Sequence, residues 1–233
     1  MARAINGVKG DKMSDDKTLL GQIKDKLLTS KAKWAAEGRL LTGTKDKAHA
    51  NRLPPGQREV KNWPVLDLGI KPEISKSAWR LDVNGLVEAP LTWTFDDFMA
   101  QPQFEDISDI HCVTSWSRFD NHWQGVSALH LLDLVKPRAE ARHVILHSHD
   151  GYTTNLTLKN FSDPDVLLAH SWQGEPLTVE HGGPVRLIVP QWYFWKSAKW
   201  INRIEFTADD RPGFWEVRGY HNEGDPFEEQ RYS

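Results

Sequence analysis

The sequence predicts an α+β fold with many short strands, few helices and a helical N-terminal extension. Three observations point there. Polar and apolar residues alternate over short runs, as half-buried strands require, from Trp79 to Val83, Asp106 to Ile110 and Trp200 to Phe206, and Arg142 to His147 reads as a further strand. Turn signals such as Asn84-Gly85, Asp150-Gly151 and Gln173-Gly174 separate these runs. Regular strand-helix alternation and internal repeats are both missing, which excludes doubly wound and solenoid architectures.

Residues 1–50 form the predicted extension and residues 51–233 the domain. Met13-Ser14-Asp15-Asp16 reads as a natural start, so residues 1–12 are expected to be a leader ahead of it. Leu20, Ile23 and Leu27 then mark one face of a Lys-rich amphipathic helix, expected to clamp onto the main body. Paired prolines keep Arg52-Leu53-Pro54-Pro55-Gly56-Gln57 extended or turned. Asn84-Gly85 is expected to turn Trp79–Val83 directly into Leu86-Val87 as a hairpin. Thr94 with Asp97 approximates a capping box for a short helix bearing Phe95, Phe98 and Met99. Ser117 to His122 reads as a polar loop, followed by Ser127 as N-cap to a helix with Ala128, Leu131, Leu132 and Val135 on one face. Asp165 to Ala169 and Val185 to Val189 complete the strand candidates, and the tail from Gly219 to Pro226 reads as loop.

Composition bounds the function. With 26% charged and 39% hydrophobic residues, the chain suits a water-soluble globular protein. It lacks any apolar run near the roughly 20 residues of a membrane helix. The N-terminus shows neither a signal-peptide core nor a twin arginine, so a cytoplasmic location is expected. A net charge of −3 gives no basic field for nucleic acid. The 11 tryptophans suit an aromatic core better than walls for a flat cofactor.

Four stretches collect the reactive side chains. Ile110 to Ser117 holds Cys112, the only cysteine. Its sulfur is therefore a buried small apolar group, a nucleophile or a metal ligand, and never half of an intrachain disulfide. His147, Ser148, His149 and Tyr152 form the second stretch. In the third, His181-Gly182-Gly183-Pro184-Val185-Arg186, adjacent glycines would let a ligand approach the backbone while Arg186 grips an anion. The bland alternative is a tight turn with a solvent-seeking arginine. In the fourth, Lys196 and Lys199 flank Ser197 and Ala198, whose amides could meet a phosphate. Taken alone, two solvated lysines between core tryptophans is the simpler reading. The histidines match no standard zinc spacing, and a hydrolase elbow is missing.

Taken in order, these pieces resemble the sulfite oxidase-type molybdopterin enzymes, particularly their short prokaryotic members. Cys112-Val113-Thr114-Ser115-Trp116-Ser117 with Trp123-Gln124-Gly125-Val126 is similar to the family's cofactor loop. Leu167-Leu168-Ala169, Gly174-Glu175-Pro176-Leu177, His181 to Pro190 and Lys196 to Trp200 follow in the family's order. The resemblance runs from about Arg52 to Tyr232 and implies a mixed-sheet molybdopterin-binding domain. It implies that Cys112 ligates molybdenum held by one molybdopterin. His181 and Arg186 would hold pterin and phosphate, with Ser197, Ala198 and Lys199 at the phosphate end. Ser148 would be a hydroxyl near the pterin, Asn62 a contact from the first segment, and Tyr152 would face metal and substrate. Arg118 and His122 would add positive charge for an oxyanion, against a bland reading as solvated loop residues. The implied reaction is two-electron oxygen-atom transfer on a small oxyanion or sulfoxide-like substrate, with a separate electron-transfer partner.

The sequence departs from the family in ways that bear on substrate. Ser117 stands where sulfite-oxidising members carry a basic residue, and Val60-Lys61 replaces another. A haem domain has no counterpart here, so no haem is expected. Two alternatives stay open: a non-catalytic binding module on the same fold, and a His-rich zinc or copper enzyme.

Overall fold

A computed structural model describes residues 52–233, so the predicted N-terminal helix lies outside the described residues. The chain from Arg52 opens with a two-residue strand β1 (Arg58–Glu59), then β2 (Arg80–Gly85) and β3 (Leu91–Thr94), helix α1 (Phe95–Met99), and the long strands β4 (Phe104–Cys112) and β5 (Trp116–Ser127). Helix α2 (Ala128–Val135) follows, then β6 (His143–Ser148), β7 (Thr153–Thr157), a one-turn helix α3 (Leu158–Phe161), β8 (Leu167–Trp172), β9 (Glu175–Pro176), β10 (Arg186–Ile188) and β11 (Ile201–Thr207). Short 3-10 turns at Val179–His181, Phe194–Lys196 and Glu216–Arg218 link the later elements.

These strands make two mixed sheets. The first runs β1-β5-β8-β10, with β4 on β5 and β9 on β8; the second runs β3-β2-β11-β6-β7. Only β1 with β5 and β2 with β11 pair in parallel. The mixed-sheet α+β expectation is therefore met.

Both predicted helix starts are present. Thr94 and Asp97 form a reciprocal capping box on α1, and Ser127 caps α2 through the Leu129 amide. Ala128, Leu131 and Val135 of α2 are fully buried in the main core, which also holds Leu81 and Val83 of β2, Leu146 of β6 and Ile204 of β11. Leu131 and Val135 each contribute about 1.5–3 kcal/mol, against about 1 kcal/mol for a cap. Burial, more than capping, holds α2 in place.

Two expectations are corrected. The Ser117–His122 stretch is strand, paired antiparallel with β4 over Phe104–Cys112. Its inward residues include Ser117 and Asn121, both fully buried, and these polar members mask the alternation. They are tolerated because each is hydrogen-bonded: Ser117 Oγ lies 2.8 Å from His111 Nδ1, and Asn121 Nδ2 donates to the Ser108 and Arg118 carbonyls. Asn84-Gly85 does not make a two-residue hairpin either, since Val83 pairs with Leu91 across a longer connection. Gly85 instead serves close approach to β11, because a Cβ there would fall 2.2 Å from the Phe206 carbonyl oxygen.

A second core surrounds the β4–β5 turn and gathers Val60, Trp63, Ile110, Cys112, Trp116, Trp123, Ile188, Tyr193, Trp195 and Tyr220. It depends on β5 and β8 lying close together at Gly125, where an added Cβ would sit 1.9 Å from the Leu168 carbonyl oxygen. Gly125→Ala is expected to destabilise the protein by about 3 kcal/mol, since overpacking against backbone cannot relax by a rotamer change. Chemical denaturation midpoints would check this, and an unchanged midpoint would contradict the tight β5–β8 packing.

Candidate functional site

The residues that sequence reading placed in four separate stretches meet in one cleft. Cys112 enters from the end of β4, Tyr152 from the β6–β7 turn, His181 from the 3-10 turn before β10, Arg186 from the start of β10, and Ser197 and Lys199 from the loop before β11. The cleft encloses about 1010 Å³ of empty space including its mouth. Five tryptophans line it: Trp63, Trp116, Trp195, Trp200 and Trp215. The tryptophans are thus both core and cleft wall, not core alone.

Cys112 ends β4 at a tight turn. The Ser115 amide donates to the Cys112 carbonyl at 2.9 Å, and Gln57 Nε2 donates to the same oxygen at 3.1 Å. The thiol lies 3.1 Å from Thr114 Oγ1. Burial pushes its pKa up, while Thr114 and the charges of Arg231 and Lys199 favour the thiolate. A cation bound at the sulfur would complete that shift.

Arg186 is fully buried and has no carboxylate partner among the described residues. It donates to the carbonyl oxygens of His181 at 2.7 Å and Ser197 at 2.8 Å, and lies over the Phe194 and Trp63 rings. Burial pulls its pKa down to about 9, so it stays charged at neutral pH. Lys199 is half-buried, donating to the Leu66 and Glu180 carbonyls at 2.6 Å each. Burial and then the Arg186 charge pull it down to about 7, opposed through space by Asp67 and Asp150. A buried and a half-buried cation side by side, held by neutral oxygens, are costly unless an anion joins them. The solvent-seeking arginine and the solvated lysines are both excluded by this burial. Lys196 is buried for another reason: it bonds Asn155 and pairs with Glu216 Oε1 at 2.6 Å beneath Trp195.

His181 stacks on Trp63, with centroids 3.9 Å apart, and its Nε2 donates to the Trp63 carbonyl at 3.2 Å. Burial lowers its pKa to about 4, so the ring is neutral at pH 7 and fixes the wall. Ser197 Oγ accepts from the Val189 amide at 2.9 Å. Gly182 and Gly183 do not open a path for a ligand. Their added Cβ atoms would meet Lys199 Cβ at 2.9 Å and the Leu177 carbonyl oxygen at 2.3 Å, so the glycines admit neighbouring chain. The Tyr152 hydroxyl donates to the Trp195 carbonyl at 2.6 Å, and burial raises its pKa well above the ordinary value.

Five expected site residues fall off the cleft wall. Asn62 is exposed beside Trp63. Arg118 lies over the Trp172 ring and donates to the Lys61 carbonyl and Asn121 Oδ1, and its neighbour His122 is exposed. Ala198 sits behind the wall, its carbonyl accepting from the Leu187 amide. Ser148 is buried with an unpartnered Oγ and borders a separate depression with Arg80, His147, His149 and Arg203; Tyr152 alone borders both spaces. Among the described residues, no three His, Cys, Asp or Glu side chains come together as a metal site, which removes the His-rich zinc or copper reading there. Sequence reading missed Trp63, Trp215 and Tyr220, which line the cleft from segments read as extended or loop.

The donor set suits a molybdopterin: one soft sulfur in an aromatic cleft, and two cleft-lining cations placed for a phosphate. The model of the oxidoreductase molybdopterin-binding domain matches residues 68–215. The chain belongs to the sulfite oxidase-type molybdopterin family. It is 47% identical over 191 residues to "Uncharacterized oxidoreductase YuiH" of Bacillus subtilis (strain 168), covering 82% of this chain and 96% of that protein. It is 31% identical over 161 residues to the protein-methionine-sulfoxide reductase catalytic subunit MsrP of Campylobacter jejuni, covering 59% of this chain and 52% of the relative. Among solved structures it is similar to the sulfane dehydrogenase SoxCD of Paracoccus pantotrophus, with a TM-score of 0.55 and 26% identity over 60% of this chain and 40% of that one. The chain thus spans about half or less of the length of these last two proteins. Molybdenum-dependent oxidoreduction is the family's chemistry and this chain's.

Because Lys199 sits at about 7, an anion bound beside it restores its proton above that pH. Sulfate does not itself titrate in this range. Calorimetry in buffers of different ionisation enthalpy should show proton uptake when sulfate binds cofactor-free protein at about pH 8, and little at about pH 5.5. Absence of uptake at the higher pH would contradict the placing of Lys199 at an anion site.

Proposed function

We propose that this protein reduces a neutral, sulfoxide-like substrate by oxygen-atom transfer, with molybdopterin seated in the Cys112–Lys199 cleft. The observation that carries the reading is the pairing of one cleft-facing thiol with two cations, buried Arg186 and half-buried Lys199, whose hydrogen bonds among the described residues go to carbonyls. Cys112 is the metal ligand. Arg186 and Lys199 hold the cofactor's anionic tail, Ser197 shapes the loop beneath it, and the His181–Trp63 stack forms the adjacent wall. When bound, the cofactor supplies two-electron redox chemistry at molybdenum.

The protein's own side chains exclude water and choose the substrate. Trp63, Trp116, Trp195, Trp215 and Tyr220 give an aromatic wall beside Cys112, which suits a polarisable sulfur group better than a small anion. Arg118, the candidate for oxyanion charge, is spent on Trp172 and Asn121 outside the cleft. Tyr152 holds its proton on the Trp195 carbonyl, so it serves as wall and brace. Relatives named as methionine-sulfoxide reductases support the same direction. The balance is one sulfoxide, two protons and two electrons to one sulfide and one water, the electrons coming from a separate donor.

Protein from a molybdenum-supplemented host is expected to carry one molybdenum and one pterin per chain. Neither metal nor pterin would favour the binding-module alternative instead. Cys112→Ser should cost at least about 1,000-fold in turnover, the scale for losing a group that touches the reacting centre. Its stability should stay within about 1 kcal/mol of wild type, and full activity would remove the ligand assignment. Methionine sulfoxide reduction should exceed sulfite oxidation by about tenfold or more in kcat/KM, about 1.4 kcal/mol of transition-state preference, and the reverse order would return the substrate to the oxyanion class.

A further inference from the structure

The segment after the last strand closes over the cysteine turn. Tyr220 and Tyr232 form an antiparallel bridge, the His221 amide donates to the Arg231 carbonyl at 3.2 Å, and the Ser233 amide donates to the Gly219 carbonyl at 3.0 Å. Gly224 lies flat on Trp195, where an added Cβ would sit 2.7 Å from the ring. This strap carries Arg231 to the β4–β5 turn. Its Nη1 donates to the Val113 carbonyl and to Ser115 Oγ, the latter at 3.0 Å. The guanidinium is mostly buried and also lies 5.4 Å from the Tyr193 ring centroid.

The turn needs such a hold. Ser115 has φ 72°, a left-handed conformation that costs a non-glycine residue about 1–2 kcal/mol and persists only where surrounding contacts over-determine it. Gln57 on the Cys112 carbonyl and the Arg58 amide on the Ser115 carbonyl supply one side. Arg231 supplies the other. The family match ends at residue 215, so this contact comes from outside the matched segment.

We propose that Arg231 is a positioning residue for Cys112: from the strap, it clamps the Val113–Ser115 turn and thereby sets the direction in which the sulfur meets the metal. The proposal rests on the reading that Cys112 ligates molybdenum. Arg231→Met removes the donors and keeps the length; Arg231→Lys keeps the charge and one donor group. In cofactor-free protein, amide exchange over residues 112–117 should be about tenfold faster in Arg231→Met, the measure of a lost local restraint. In loaded protein reduced by one electron, the molybdenum electron paramagnetic resonance signal should shift or split in Arg231→Met and move back toward wild type in Arg231→Lys. A merely structural contact would leave that signal unchanged. Unchanged exchange, or a signal identical to wild type in loaded Arg231→Met, overturns the proposal. If Arg231→Met fails to fold, Arg231→Lys is read by the same two measurements, with smaller shifts expected in both, and wild-type values in either overturn the proposal. Wild-type protein that takes up no molybdenum removes the metal-ligand reading and with it the positioning role, while the exchange measurement still decides whether the clamp exists.

Discussion

A guanidinium sealed from water, with no carboxylate on it among the described residues, is the constraint around which the cleft is arranged. Arg186 is satisfied by carbonyls from the 3-10 turn at His181 and the loop at Ser197. An unpaired buried ion costs several kcal/mol, so those carbonyls must point inward and the chain segments bearing them must be held. Gly182, at φ 101°, lets the chain close on Lys199, and Gly183 lets it close on Leu177. The result is a second cation, Lys199, half-buried beside the first. Carbonyls and rings offset part of the cost of these two like charges and leave part standing. Both become favourable when an anion occupies the cleft, so the protein holds stability in reserve for its cofactor.

Much of the fold was legible because local and tertiary preferences agree. The Thr94–Asp97 box, the Ser127 cap and the alternation over β2 and β11 each state one structure at both levels. Legibility failed where polar residues turn inward. Ser117 and Asn121 alternate correctly in β5, but their inward positions read as outward until Ser108, His111 and Arg118 are seen to satisfy them. Asn84-Gly85 misled for a related reason. Its glycine answers a backbone far away in sequence, at Phe206, a demand that no local pattern records.

The site was legible in its charges and less so in its walls. Cys112, His181, Arg186, Ser197 and Lys199 stand in ordered motifs and do converge. Arg118 and Asn62 neighbour motif residues yet point elsewhere, since adjacency along a strand or extended segment sends successive side chains to different sides. Trp63, Trp215 and Tyr220 come from segments without periodicity, and only the folded chain brings them to the cleft. Their contribution is aromatic surface, which a sequence reading assigns to core by default.

The strap has a consequence for biosynthesis. The β4–β5 turn is complete early in the chain, but Tyr220, Gly224 and Arg231 reach it only after every strand has been made. A ribosome-bound chain would therefore present both sheets and still leave the thiol's surroundings open on one side. Domains fold as units, so the hold from residues 220–231 is available to the turn only once this part of the chain has been made. The two sides of one short turn are thus written at opposite ends of the described residues, at Gln57 and at Arg231, and the turn is secured only when both are present.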